Sequence, residues 1–490
     1  MDIGPKLNYS SIYNEVLGED QLGIKYVAIN MSDVLQSGIT SVTPRARYWS
    51  FYTWVLYDFI FNTNIKKTEN NLKAYMKRQE WYFILSNIAY GREIRKEPSS
   101  LQGIRVGNQV WNENPDAQTF DLNDKYISNA FGGYGVYRNV IKIMGLTRDS
   151  DSNKNIKIDF VTKTGEQIAL AFEDEIKDSE YYKKYRLSNI PVPKKVLIQY
   201  GEKVHLSNIG KTKDGIKLIE LFLPKDTSDG YVIKQKTSLQ YYQYVLKSCK
   251  VKSMTEHEWR LTFYDIFSPK ANPSCVIPES FRQVALGWEV CTTRMYFTYS
   301  LEGIWSRTLY KMENMPLDMI SIIDEVLYEV DKKILRKKIT SLIGNNILSQ
   351  EDRENIIEHL RNVDELSVIS GLQIMLDVYQ RLSNRDDFDD LLLDFLRLGG
   401  QEQISLYSWI DTVNNYKDKT VKELLVYVLQ HLILNQHLKT ALDKLCTTRN
   451  QTFHFVQEDG ILHWVSSDRP AFNVMRVIQG ISILTDLELI

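Results

Sequence analysis

The chain has 490 residues, 43% hydrophobic and 25% charged, with 60 Lys+Arg against 62 Asp+Glu and a formal net charge of −2. These proportions fit a soluble globular protein with about three domains' worth of chain, and the near-neutral balance excludes attachment to nucleic acid or membrane by bulk charge, leaving only a local patch for such a contact. Four widely spaced cysteines, Cys249, Cys275, Cys291 and Cys446, form no CxxC pair, which excludes a disulfide-stapled scaffold and a cysteine-paired zinc ribbon.

The first residues lack the basic-then-apolar pattern of a signal peptide. The most apolar stretches, 54–61 and 424–434, are too short to span a bilayer. The expectation is a cytoplasmic protein without a membrane partner. Thr43-Pro44 reads as the start of an aromatic helix through Phe59, with Thr as cap and Pro at the first helical position. Its aromatic residues, Tyr48 to Phe59, read as core, while Arg45 and Arg47 near its start are candidate phosphate or carboxylate contacts. A second helix is expected over 71–90, stopped by Gly91.

Over 121–144 the pattern is helical and broken at Gly132-Gly133, and Gly145-Leu146 closes the helix. A loop, a strand over 156–161, and a new helix opening on a capping box of Thr164 and Gln167 follow. This order is found in many winged-helix domains, although a second wing strand is not legible. Lys183 and Lys184 follow it and are candidate nucleic-acid contacts. A mixed middle region precedes one long helix over 279–310. Beyond 316 helices dominate, with Gly399-Gly400 ending one and Thr420 with Glu423 forming a capping box. A hairpin is expected over 451–465, turning at Glu458-Asp459-Gly460. The fold class is therefore mainly α with small β elements (α+β). It divides into an aromatic-rich helical N-terminal domain (1–120), a winged-helix-like domain (121–190), a mixed region (191–315), and a helical C-terminal domain ending in a hairpin and helix (316–490).

Enzyme signatures are sparse. Gly210-Lys211-Thr212 resembles the end of a phosphate loop, but position 205 is His where the loop needs Gly. Asp159 with Glu175 and Lys177 has the residue types of a metal-dependent nuclease, yet Glu175 falls in the helix expected over 165–178. The acidic run 386–390 reads as a helix start. No cofactor and no metal site is expected. The basic run 331–338 carries five cations, and on a helix Lys332, Lys333, Arg336 and Lys337 would share one face able to meet phosphates.

Two resemblances add to this. Arg449 to His454 resembles the R-x4-H motif of HEPN ribonucleases, which would make Arg449 the phosphate contact and His454 the acid/base; here the motif leads into a hairpin rather than a helix, and a structural role is the preferred reading. Residues 38–52, the winged-helix-like run to Glu166 and the end 485–489 together resemble a loose group of components of bacterial anti-phage defence and restriction loci. That resemblance implies a place in a multi-gene system beside an ATPase or nuclease. The expected function is a non-catalytic subunit that binds double-stranded DNA weakly and assembles with such partners. A nuclease is the alternative and a transcriptional regulator the third reading.

Overall fold

A computed structural model describes residues 20–98, 100–149, 158–207, 209–226, 229–267, 276–314, 316–343, 347–383, 385, 387–398, 404–448 and 451–490. The protein is mainly helical, with 64% of the described residues in helix and 5% in strand, the strands forming small antiparallel sheets. It folds as two compact units. One comprises Asp33–Glu256 with Met475–Ile490, the other Met1–Ser32 with His257–Val474. Among the described residues no helix is long and apolar enough to cross a membrane.

In the first unit the aromatic helix is Arg47–Phe61, and almost every side chain on it is buried. Such a helix sits inside the core with neighbours on all sides. Phe51 stacks on Phe83, and Trp54 meets Phe172. The helix does not start at Thr43-Pro44 as the pattern suggests. Thr43 is drawn into a turn, its Oγ1 accepting from the Thr40 amide at 2.9 Å. The cap comes from the far end of the chain: the Asp486 carboxylate accepts from the Ala46 amide at 3.0 Å.

The next helix, Glu69–Glu93, is capped by Thr68 and runs past Gly91. It packs against Lys194–Val204 at Gly201, where an added Cβ would lie 2.2 Å from the Ser86 carbonyl; only glycine permits that approach. Its buried Glu80 accepts from the Tyr52 hydroxyl at 2.6 Å, from the Gly133 amide at 2.8 Å and from the Tyr126 hydroxyl.

Over 121–144 the only helix is Tyr134–Ile143, so the segment before the glycine pair is not helical. Gly145, at φ +71°, and the Leu146 amide, bonded to the Ile141 carbonyl at 3.0 Å, close it as expected. Thr147–Arg148 pairs antiparallel with Phe160–Val161, and the helix Lys163–Ile176 follows. Its cap is Thr162, which accepts from the Gly165 amide at 3.1 Å, not the Thr164–Gln167 box. Of the rest of the expected strand, Ile158 and Asp159 are not in strand, and Ile156 and Lys157 lie outside the described residues.

In the second unit Pro278 opens a short turn, Glu279–Phe281, into the 33-residue helix Arg282–Asn314. Trp288 and Trp305 on it are fully buried, and the helix Ser367–Leu382 packs along it. The capping box at Thr420 is present in both directions, with bonds of 3.3 and 2.8 Å. The hairpin is Phe455–Glu458 with Ile461–Trp464, and Leu317–Asp318 adds a third strand. Asp459 and Gly460 both have positive φ, 49° and 83°, the tight turn that matches strand twist. Asp389 caps the helix Asp390–Arg397 through the Leu392 amide at 2.9 Å, consistent with the acidic run marking a helix start. Asp386, Gly399 and Gly400 lie outside the described residues.

Candidate nucleic-acid interface

Asp331 caps a helix of only one turn, Lys332–Leu335, by accepting from the Lys333 amide at 2.8 Å. The expected helical face of Lys332, Lys333, Arg336 and Lys337 is thus not formed. Instead the chain extends at Lys338 and pairs with another segment. The Ile339 amide bonds the Lys419 carbonyl at 3.0 Å, the Thr340 amide bonds the Lys417 carbonyl at 3.1 Å, and the Val421 amide bonds the Lys337 carbonyl at 2.9 Å. Lys338 and Thr420 are bridge partners. Ile339, fully buried, pins the junction.

This pairing brings Lys417, Lys419 and Lys422 beside the first basic run. Lys332, Lys333, Arg336, Lys337, Lys338, Lys419 and Lys422 are exposed, and Lys417 is half-buried over the Tyr379 ring. The one ion pair made by these eight cations among the described residues joins Lys419 to Glu423 at 4.0 Å. Asp331 and Glu423 also serve as helix caps. The surface is consequently a cluster of cations with little internal neutralisation, the arrangement that exchanges counterions for phosphates. Next to it lies a cavity of about 410 Å³. The second run was not singled out from sequence. Its signal is the spacing Lys417-Asp418-Lys419-Thr420-Val421-Lys422, and nothing local says that it adjoins 331–338.

The other candidate cations sit differently. Arg45 is buried and forms a two-point pair with Asp486, at 2.9 and 2.8 Å, so it does meet a carboxylate, one from its own chain. The pair borders a cavity of about 460 Å³ that His205 also lines; burial pushes that imidazole down to about 4. Arg47 has no exposed surface. Its guanidinium donates to Asp214 and to the His205 carbonyl, both at 3.1 Å, so it holds the core together and offers nothing to an outside phosphate. Lys183 and Lys184 are exposed on the π-turn Tyr181–Tyr185, paired with Asp178 at 3.2 Å and Glu180 at 2.9 Å.

Arg449 lies outside the described residues. His454 stands just before the first hairpin strand and is 4% exposed. Its Nδ1 is 3.1 Å from the Ser466 carbonyl, its amide donates to His437 Nε2 at 3.0 Å, and its ring meets the Trp305 edge. Burial lowers its proton affinity, and pushes His437 down to about 3. These are the contacts of two neutral histidines holding a hairpin onto the long helix. His431 is exposed while His437 is buried, so the two do not share a site.

Asp159, Glu175 and Lys177 are not brought together. Asp159 is held by Arg138 at 2.6 and 2.8 Å and by the Tyr134 hydroxyl at 2.8 Å. Glu175, helical as expected, accepts from the Lys213 amide at 2.8 Å, and Lys177 pairs with Asp174 at 2.5 Å. Thr212 of the phosphate-loop-like triplet is the cap of the helix Lys213–Phe222. Among the described residues no three His, Cys, Asp or Glu side chains are grouped to hold a metal ion. Compared with known proteins, the chain matches no family model, no curated protein and no solved structure.

Proposed function

We propose that the chain is a non-catalytic, nucleic-acid-binding and assembly subunit of a multi-gene bacterial anti-phage defence system. The observation that carries the binding part is the backbone pairing of 337–340 with 417–421, which merges two basic runs into one exposed surface. Phosphate contacts from such a surface give weak binding to double-stranded DNA with little sequence preference. The helix–strand–strand–helix order over 134–176 is compatible with a winged-helix element as a second contact. The defence setting and the ATPase or nuclease partner rest on the sequence resemblance. A gel-shift titration with duplex DNA at low salt tests the reading. Binding is expected for the native chain and is expected to be lost when Lys332, Lys333, Arg336 and Lys337 are changed to Glu. These residues are exposed, so the fold should hold. A native chain that shifts no DNA, or a reversed variant that still does, overturns it.

A further inference from the structure

The cavity beside the basic surface has a composition that phosphate binding alone does not explain. Its base is apolar, formed by Leu327 and Val330, which are buried, and Leu335. Its rim carries Lys332, Arg336 and Lys422, against the single carboxylate of Asp324. At its edge stands Tyr328, the last residue of the helix Met319–Tyr328, with 78% of its surface exposed. Among the described residues its ring makes no aromatic or cation–π contact, unlike most tyrosines of this chain. The volume, about 410 Å³, falls in the range of small-ligand sites.

We propose that this cavity is a binding site for an unpaired nucleobase, with the Tyr328 ring as stacking platform and Lys332, Arg336 and Lys422 holding the adjoining phosphates, so that the surface prefers single-stranded nucleic acid. The inference rests on the nucleic-acid reading above and extends it. In a duplex the bases are stacked inward, and a protein surface meets two phosphate rails; a concave apolar pocket with an exposed ring gains nothing from them. A single strand offers an accessible π-face and a flexible chain of phosphates, and cationic grooves with exposed aromatic rings take up both. The net positive rim favours a polyanion over the apolar helix of a protein partner, which would leave three cations desolvated and unpaired.

The test compares a fluorescently labelled oligo(dT) with a duplex of equal length, by anisotropy, for the native chain and for Tyr328→Ala, Tyr328→Trp and the Lys332/Lys333/Arg336/Lys337→Glu variant. The native chain is expected to bind the single strand more tightly than the duplex. Tyr328→Ala should weaken single-strand binding by roughly 5- to 150-fold, the loss of one stacked base, and leave duplex binding within about twofold, whereas Tyr328→Trp should retain both. A 2-aminopurine placed in the strand should be quenched on binding by the native chain and not by Tyr328→Ala. Equal single-strand affinity for the native chain and Tyr328→Ala, with the charge-reversed variant inactive, overturns the base pocket while leaving the phosphate surface standing. No binding of either oligonucleotide by the native chain removes both. Normal strand binding by Tyr328→Ala together with loss of a co-purifying subunit assigns the groove to a protein partner and overturns the inference.

Discussion

Truncation of Arg47 should destabilise its unit rather than weaken a ligand contact. Arg47 and Asp214 are both without exposed surface and lie 3.1 Å apart. Asp214 additionally accepts from Ser50 Oγ at 2.7 Å and Thr212 Oγ1 at 2.6 Å, so its carboxylate is held by two residues of the aromatic helix and by the cap of its own helix. Arg47→Ala leaves that carboxylate buried with two hydroxyls and no cation. Breaking a buried pair from one side costs about 3–5 kcal/mol, and in a unit of this size each kcal/mol lowers the melting temperature by about 2–4 °C. The transition of this unit, followed by circular dichroism, should drop by roughly 6–20 °C. The double change Arg47→Met with Asp214→Leu removes both charges and should recover much of the loss, because the orphaned charge dominates the cost. An Arg47→Ala protein that melts with the native one and has lost DNA binding would refute this and return Arg47 to the list of phosphate contacts.

Three further outcomes are expected. His454→Ala should lower the melting temperature by several degrees, through loss of its Ser466 bond and its packing on Trp305, in parallel with any activity; a fully stable variant that has lost an RNA-cleaving activity present in the native chain would instead establish HEPN-type catalysis. Burial holds His437 neutral, pushed down to about 3, so between about pH 6.5 and pH 3 the unfolded chain takes up a proton that the folded unit refuses. Its stabilising contribution is full above pH 6.5 and declines on acidification, by about 2 kcal/mol at pH 5. Glu289 and Glu302, both pushed up to about 7 by burial, act in the opposite sense, so the comparison is the denaturation midpoint at about pH 7.5 and pH 5 in the native chain and in His437→Gln. Equal pH dependence in the two would contradict the argument. Finally, Lys183→Glu with Lys184→Glu should change DNA affinity less than reversal of the basic turn does, because each lysine already has a neighbouring carboxylate; anisotropy titrations of the two variants decide the order.

Local chemistry made several elements legible. Gly460 after an acidic pair, between two alternating runs, specifies the hairpin, and Thr420 with Glu423 specifies a helix start, because each signal is complete within a few residues. The aromatic core of Arg47–Phe61 followed from composition alone. Its start did not, because the capping group, Asp486, comes from the opposite end of the chain. The strand Thr147–Arg148 is too short to show a period. The same limit applied to the candidate interface. The basic run 331–338 is visible as a charge cluster, but its geometry is set by pairing with 417–421, about eighty residues away, which replaces the expected helical face with a one-turn helix and a short extended segment bridged to a second basic run. Arg45 and Arg47 looked like surface cations at a helix start, and only the positions of Asp486 and Asp214 reveal them as internal ties.

The most direct measurement is the salt dependence of duplex binding, as log affinity against log salt, for the native chain, for Lys332/Lys333/Arg336/Lys337→Glu, and for Lys419→Glu with Lys422→Glu. Each phosphate contact contributes a slope of about −0.9. If the two runs form one surface, the first variant flattens the slope by up to about three to four and the second by about one to two. A slope left unchanged by Lys419→Glu with Lys422→Glu would contradict the joined surface, and a slope left unchanged by both variants would contradict the interface itself.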